Sequence, residues 1–344
     1  MKAKKNIEAL ISYKVNPLQV KIKLDANEAK NYLFDKPLKS TVFPMHLYPD
    51  NDMTELKAVI SNKMNVEPTD LIIGNGSSEI LELVVKSYVD KDEVILSFDP
   101  SFSMYKVYAQ IHGANFIEVP SEEDFSLNME TMKTYALKYQ PKLVFLCTPN
   151  NPTGYQIPKD EVIDFIKSTD ALVVVDEAYM EFASNDTSIF NEAKNFPNVI
   201  VARTFSKAFG LAAARIGYAT ACKDIINVLN SVKPPYNVNT LSQYYATQAM
   251  KKFDLMEAFT NEIKTKRLNI AKALKKLGVV CYDSEANFIF FKGCPHLYKA
   301  LIDKDIMIRA FSGNLFGYFR VTIGNDTENE AFINAMEAII NETR

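Results

Sequence analysis

Short apolar runs alternate with amphipathic stretches through the middle of this chain. Leu71-Ile72-Ile73, Val94-Ile95-Leu96, Leu143 to Leu146, Leu172 to Val175 and Val199-Ile200-Val201 carry no polar face, and each is closed by polar, glycine or proline residues. Runs of that kind are strands covered on both sides, the pattern of a central parallel sheet. Glu79 to Tyr88 reads as a helix between two of them, and Thr54 to Met64 as an amphipathic helix ahead of them. The alternation predicts an α/β fold, a mostly parallel sheet with helices on both faces. In such sheets ligands sit at the C-terminal ends of the strands, so the residues closing each run become the candidates for chemistry.

After Gly217 the rhythm stops. Val232-Lys233-Pro234-Pro235-Tyr236 is a proline-stiffened joint. A long helical stretch then runs from Thr240 to Lys276, with Met256, Phe259, Ile263, Ile270 and Leu274 near helical spacing and Gly278 as its stop. Short strands follow at Asn287 to Phe291, Ile306 to Ile308 and Phe319 to Ile323. The last helix opens on Thr327-Glu328-Asn329-Glu330, the spacing of a capping box. These shifts, with the family resemblance given below, imply an N-terminal arm over residues 1–35 packing with the small domain, a large domain over 36–235 and a smaller α+β domain over 236–344.

Composition narrows the function. A chain of 344 residues with 47% hydrophobic content can fill more than one core. The net charge of −3, without any basic block, gives no electrostatic footing for nucleic acid or an anionic membrane. Cys147, Cys222, Cys281 and Cys294 have no paired spacing and lie mostly in apolar runs, as reduced, buried thiols do. No run approaches a membrane span, the basic N-terminus lacks the apolar core of a signal peptide, and no metal-ligand spacing stands out. The expectation is a cytoplasmic enzyme or binding protein for small molecules.

The strand ends then supply the chemistry. Gly74-Asn75-Gly76-Ser77-Ser78 is a glycine-rich turn entering a helix, where free backbone N–H groups and two hydroxyls form an anion site. Phe102 follows the next strand and offers a flat face for an aromatic ring. Thr148 to Gly154 holds two prolines and two asparagines, a rigid corner. Asp176 and Tyr179 close the Leu172 run. The Val199 run ends in Thr204-Phe205-Ser206-Lys207, with Arg215 eight residues after the lysine. Two hydroxyls, a lysine and an arginine there can hold a phosphate and present an amine able to form a Schiff base. Any one of these residues alone is ordinarily structural or exposed. Their placement on successive strand ends is what argues for a site.

NNPTG at 150–154, DEAY at 176–179 and TFSKAFGLAAARIGY from Thr204 to Tyr218, in that order and spacing, resemble the fold type I aminotransferases that use pyridoxal 5′-phosphate. Within them the chain is similar to the histidinol-phosphate aminotransferases, over about Tyr13 to Ile340. The resemblance implies the aspartate-aminotransferase-like fold and a homodimer with shared active sites. It implies Lys207 as covalent carrier of the cofactor and as the base and acid that moves the substrate Cα proton. It implies Asp176 on the ring nitrogen, Tyr179 and Asn151 on the phenolic oxygen, and Phe102 stacked on the ring. Gly76, Ser77, Ser78, Thr204, Ser206 and Arg215 would bind the phosphate, joined by Tyr48 from the neighbouring subunit. Arg320 would clamp an α-carboxylate, and Arg309, Tyr13 and Tyr236 would face the distal, phosphate-bearing end of the substrate, with Asn27 on the closing arm.

Three positions depart from the family pattern. The arm reads Asn27-Glu28-Ala29-Lys30 where asparagine and proline usually follow the glutamate, Phe102 replaces a common tyrosine, and Ala213 a frequent glycine. The implied reaction moves an amino group from an amino donor to a 2-oxo acid, here between histidinol phosphate and 2-oxoglutarate. A decarboxylase of threonine phosphate and an aromatic or other amino-acid aminotransferase remain as alternatives. A transcriptional regulator built on the same fold would need a DNA-binding segment, and residues 1–50 are too short and too little basic for one.

Overall fold

A computed structural model describes residues 4–8, 10, 18–34, 43–184 and 187–342. Eleven strands are found among them: β1 Ile22–Leu24, β2 Leu71–Gly74, β3 Val94–Asp99, β4 Asn115–Pro120, β5 Leu143–Cys147, β6 Leu172–Asp176, β7 Val199–Thr204, β8 Gly217–Ala221, β9 Phe288–Lys292, β10 Ile306–Ala310 and β11 Tyr318–Thr322. Seven form one sheet in the order β2-β8-β7-β6-β5-β3-β4. Only β8 runs against its neighbours, so the sheet is mostly parallel.

The apolar runs are buried on both faces, as their pattern predicts. Every residue of β5, β6 and β7 is buried. Val173, Val175, Val199 and Val201 enter one core, while Val174, Ile200 and Ala202 enter the core on the other face. Each strand is followed by polar residues at the same edge, because parallel strands reach their C-terminal ends together. β8 turns the chain back and lets β2 sit beside it, pairing Gly74 with Gly217.

The second sheet has the order β1-β10-β11-β9. β1, from the arm, pairs in parallel with β10, while β10–β11 and β11–β9 are antiparallel. The architecture is α/β with a mostly parallel sheet, as the alternation predicts.

Several boundaries differ from the sequence pattern. The helix after the glycine turn is Ser77–Tyr88 and starts two residues earlier than its pattern suggests. The stretch from Thr240 to Lys276 is two helices, Thr240–Lys251 and Phe253–Lys276, meeting at Lys252. The first packs on helix Thr54–Met64, the second on β9 and on the last helix, so the chain changes neighbours there. Lys252 Nζ, donating to Leu33 O at 2.5 Å, marks the break. The final helix, Asp326–Glu342, is boxed two residues upstream of Thr327: Glu328 N donates to Asn325 Oδ1 at 2.9 Å and Asn325 N to Glu328 Oε2 at 2.7 Å. All four cysteines are free, but only Cys147 is buried; the other three are half-exposed. No described helix is long and apolar enough to cross a membrane.

Candidate active site

The glycine turn and the β7 end meet across the sheet edge. Gly76 has φ +82, and a side chain there would place its Cβ 2.7 Å from an Arg215 guanidinium nitrogen. A Cβ on Gly217 would fall 2.2 Å from Ser77 N. Gly76 is required by its positive φ, and Gly217 by the close approach of the Gly76–Ser77 backbone. Arg215 donates to Ser206 Oγ at 3.4 Å and to Ala212 O at 3.2 Å, and Ser206 N donates to Thr204 Oγ1 at 3.1 Å. No side chain caps the start of helix Ser77–Tyr88, which leaves its first N–H groups facing that guanidinium. Uncapped helix N–H groups, hydroxyls and an arginine make an anion cup.

Lys207 lies beyond the cup. Its Nζ donates to Ala26 O of the arm at 3.0 Å and sits 5.8 Å from the Tyr179 ring. Burial, helped by Arg320 and Arg215 and opposed by Glu28, holds the Lys207 ammonium down at about 7. A large share of the amine is therefore neutral near pH 7 and able to act as a nucleophile.

Asp176, at the end of β6, is buried. Its Oδ2 accepts from Tyr105 Oη at 2.8 Å and its Oδ1 from Ala178 N at 3.2 Å. Burial pushes its carboxyl up to about 6 against those two hydrogen bonds. Tyr105 is itself fully buried and stacks on Phe145 at 4.3 Å, with Phe102 edge-on to it at 5.5 Å. The sequence pattern assigns Tyr105 no role; its only signal there is a tyrosine one helical turn beyond Phe102. Tyr108, one turn further, lies near Ser78 of the cup.

The opposite wall comes from the second sheet and the arm. Tyr179 Oη accepts from Asn27 Nδ2 at 3.0 Å, and Asn27 N donates to Thr322 Oγ1 at 3.0 Å. Arg320 donates to Asn151 Oδ1 and, at 2.8 Å, to Asp25 O. Arg309 and Arg320 are register partners on β10 and β11, directly across from each other. Like charges so placed repel, and a ligand with two separated negative groups would offset the cost.

Two expected members stand apart. Tyr48 and Tyr236 stack on each other at 4.5 Å, 79% and 43% exposed, and no described contact joins either to Lys207. Tyr13 lies outside the described residues. A cavity of about 450 Å³ lined by Asn51, Asp52, Lys57 and Lys233 includes none of the residues around Lys207.

The pattern of the family described as aminotransferase class I and II matches residues 21–336. The chain belongs to that family. It is 38% identical to the histidinol-phosphate aminotransferase of Thermoanaerobacter sp. (strain X514), covering 98% of each chain. Its fold superposes with a TM-score of 0.90 on histidinol-phosphate aminotransferase from Sinorhizobium meliloti in complex with pyridoxal-5′-phosphate, at 24% identity and over 100% of this chain and 98% of that one. The enzyme of that name from Clostridium acetobutylicum matches with a TM-score of 0.80 at 26% identity, over 86% and 91%.

The cofactor of this aminotransferase is pyridoxal 5′-phosphate, and the residues present fit it. The cup left open by Gly76 and Gly217 suits a phosphate. The buried Asp176 carboxylate has only neutral hydrogen-bond donors among the described residues, and a protonated ring nitrogen would supply the cation. The Lys207 amine is poised for a carbonyl.

Proposed function

We propose that this aminotransferase moves an amino group between histidinol phosphate and 2-oxoglutarate, giving imidazole-acetol phosphate and glutamate in histidine biosynthesis. Full-length similarity to enzymes of that name carries the substrate, and the convergence of Lys207, Asp176 and the paired arginines carries the chemistry. Bound in the site, pyridoxal 5′-phosphate supplies a carbonyl for the substrate amine and an electron sink for the Cα carbanion. Lys207 would hold it and would act as the base that takes the substrate Cα proton and the acid that gives it to the cofactor's C4′. Asp176 would keep the ring nitrogen protonated, Tyr179 and Asn151 would hold the phenolic oxygen, and Phe102 would stack on the ring. Gly76, Ser77, Ser78, Thr204, Ser206 and Arg215 hold the phosphate. Arg320 takes the α-carboxylate of glutamate in a planar, two-point grip. Arg309, with Tyr13 and Tyr236, receives the distal phosphate of one substrate or the distal carboxylate of the other.

The same reading makes the enzyme a cytoplasmic homodimer in which Tyr48 of one protomer reaches the cofactor phosphate held by its partner. It divides the chain into an arm (1–35), a cofactor-binding domain (36–235) and a small domain (236–344), with helix Thr240–Lys251 reaching back to Thr54–Met64. A substrate panel tests the function. Turnover of histidinol phosphate that depends on 2-oxoglutarate is expected, and release of carbon dioxide from threonine phosphate in its place would overturn it.

A further inference from the structure

The apolar stripe of helix Phe253–Lys276 holds one buried charge. Arg267 falls in line with Ile263, Ile270 and Leu274 and is only 3% exposed. A guanidinium buried in a core stripe is costly unless its donors are met. Here they reach two other parts of the chain. Nη1 donates to Phe182 O at 3.0 Å and to Ala286 O at 2.8 Å, and Nη2 donates to Glu285 Oε2 at 2.9 Å and to Ser184 Oγ at 3.3 Å. Glu285 Oε2 also accepts from Ser184 N at 2.6 Å, so the two segments meet directly as well as through the arginine.

Those segments serve different walls of the site. Residues 182–184 follow the short turn Met180–Phe182, which leaves Tyr179 at the end of β6. Residues 284–287 lead into β9, whose Phe290 is the register partner of Arg320. The second segment touches the site at two further points. Glu285 N donates to Gly154 O at 2.8 Å, at the end of the corner that bears Asn151. The approach is close: Gly154 has φ +83, and a Cβ there would fall 2.2 Å from Ser284 Oγ. Asn287 Nδ2 donates to Asn27 O at 3.2 Å, and Asn27 in turn donates to Tyr179. A planar fork can span two carbonyls and a carboxylate at once, which the single ammonium of a lysine cannot.

We propose that Arg267 is a positioning residue: it ties the segment after Tyr179 to the segment before β9, and so sets Asn151, Asn27 and Arg320 at their places around Lys207. It touches none of the reacting groups. The consequence for turnover rests on the role of Arg320 proposed above; the tie itself does not. The phosphate cup and Asp176 sit on strand ends of the first sheet, so cofactor affinity depends little on the tie.

Backbone hydrogen exchange in the cofactor-loaded full chain tests the tie. Arg267→Lys keeps the charge and removes the fork. Exchange at residues 150–155 and 284–287 should quicken about tenfold, while β6 and β7 keep wild-type protection. Glu285→Ala, at a half-buried position, removes one of the four acceptors and should give the same pattern in smaller measure, which decides the matter if Arg267→Lys does not fold. Quickening confined to helix Phe253–Lys276 and residues 182–184 would make Arg267 a local contact and overturn the proposal. Quickening spread equally over every strand would make it a contributor to overall stability alone, and overturns it too. KM for glutamate should rise about tenfold in Arg267→Lys and about threefold in Glu285→Ala, with cofactor affinity held within a factor of about two. An unchanged KM in the folded variants overturns the positioning role. A wild-type enzyme that does not use glutamate fails the substrate assignment instead, and the exchange pattern still decides the tie.

Discussion

The floor around Asp176 and Lys207 and the face carrying Tyr48 and Tyr236 are built on opposite terms. On the floor, polar groups are buried and answered within the chain: Tyr105 by Asp176, Glu177 by Arg203, Asn27 by Tyr179. On the face, Met45, Leu47, Tyr48 and Tyr236 are exposed, and among the described residues the two tyrosine rings stack only on each other. The buried polar groups of the floor are satisfied by long-range contacts within one chain. The tyrosine face is a surface with apolar area to spare.

The sharpest way to break the comparison is Lys207→Ala. Turnover should fall by several orders of magnitude, borohydride should no longer fix the cofactor to the Lys207 peptide, and non-covalent cofactor binding should survive. A label retained elsewhere on the chain would move the centre of the floor. Asp176→Asn should cost roughly 10²–10³-fold in the rate of Cα proton removal, the scale of stranding a buried charge partner, with little change in substrate affinity. Isotope-sensitive single-turnover kinetics measure it, and near-normal rates would remove Asp176 from the ring nitrogen.

Arg309→Ala sharpens the role of the arginine wall. Its KM for histidinol phosphate should rise by about 1.5–3 kcal/mol, more than for a small neutral amino donor, if a charged hydrogen bond is lost. Equal losses for both donors would make Arg309 structural.

Lys207 also sets a pH dependence. Its ammonium is held down at about 7, so the neutral amine grows as pH rises towards 7 and is complete above it. Cofactor uptake by the free protein should therefore fall about tenfold per pH unit below 7 and level off above. An ordinary lysine, near about 10.4, would keep the rate climbing through pH ~9. In stability the sign is the same: the unfolded chain binds the extra proton between about 7 and the ordinary lysine value, so the cost of burying Lys207 falls as pH rises through that window.

The smallest effect belongs to the tyrosine face. Tyr48→Phe should weaken cofactor binding by about 1 kcal/mol, one hydrogen bond. Mixing Tyr48→Phe chains with Lys207→Ala chains tests sharing: hybrids contain one site with neither change, and at cofactor concentrations well below saturation activity should exceed that of both parents. No gain, with subunit exchange demonstrated, would leave the face outside the site.

The apolar runs at 71–73, 94–96, 143–146, 172–175 and 199–201 were enough to place five strands and to show that their ends share an edge, because burial on both faces is written locally in residue type. The Gly76 turn and the Lys207 segment were legible for the same reason: each is a short, contiguous pattern. What lay outside such patterns was decided by the tertiary structure. The break at Lys252 follows from a change of packing partner, and the cap at Asn325 from which of several suitable residues the chain turns upon. The Tyr105–Asp176 bond, the Glu177–Arg203 clamp and the register that sets Arg309 opposite Arg320 join segments separated along the chain. Periodicity reports which face of an element is apolar. It carries no information about which distant polar group that element will meet, because strand order and register arise only when the cores close.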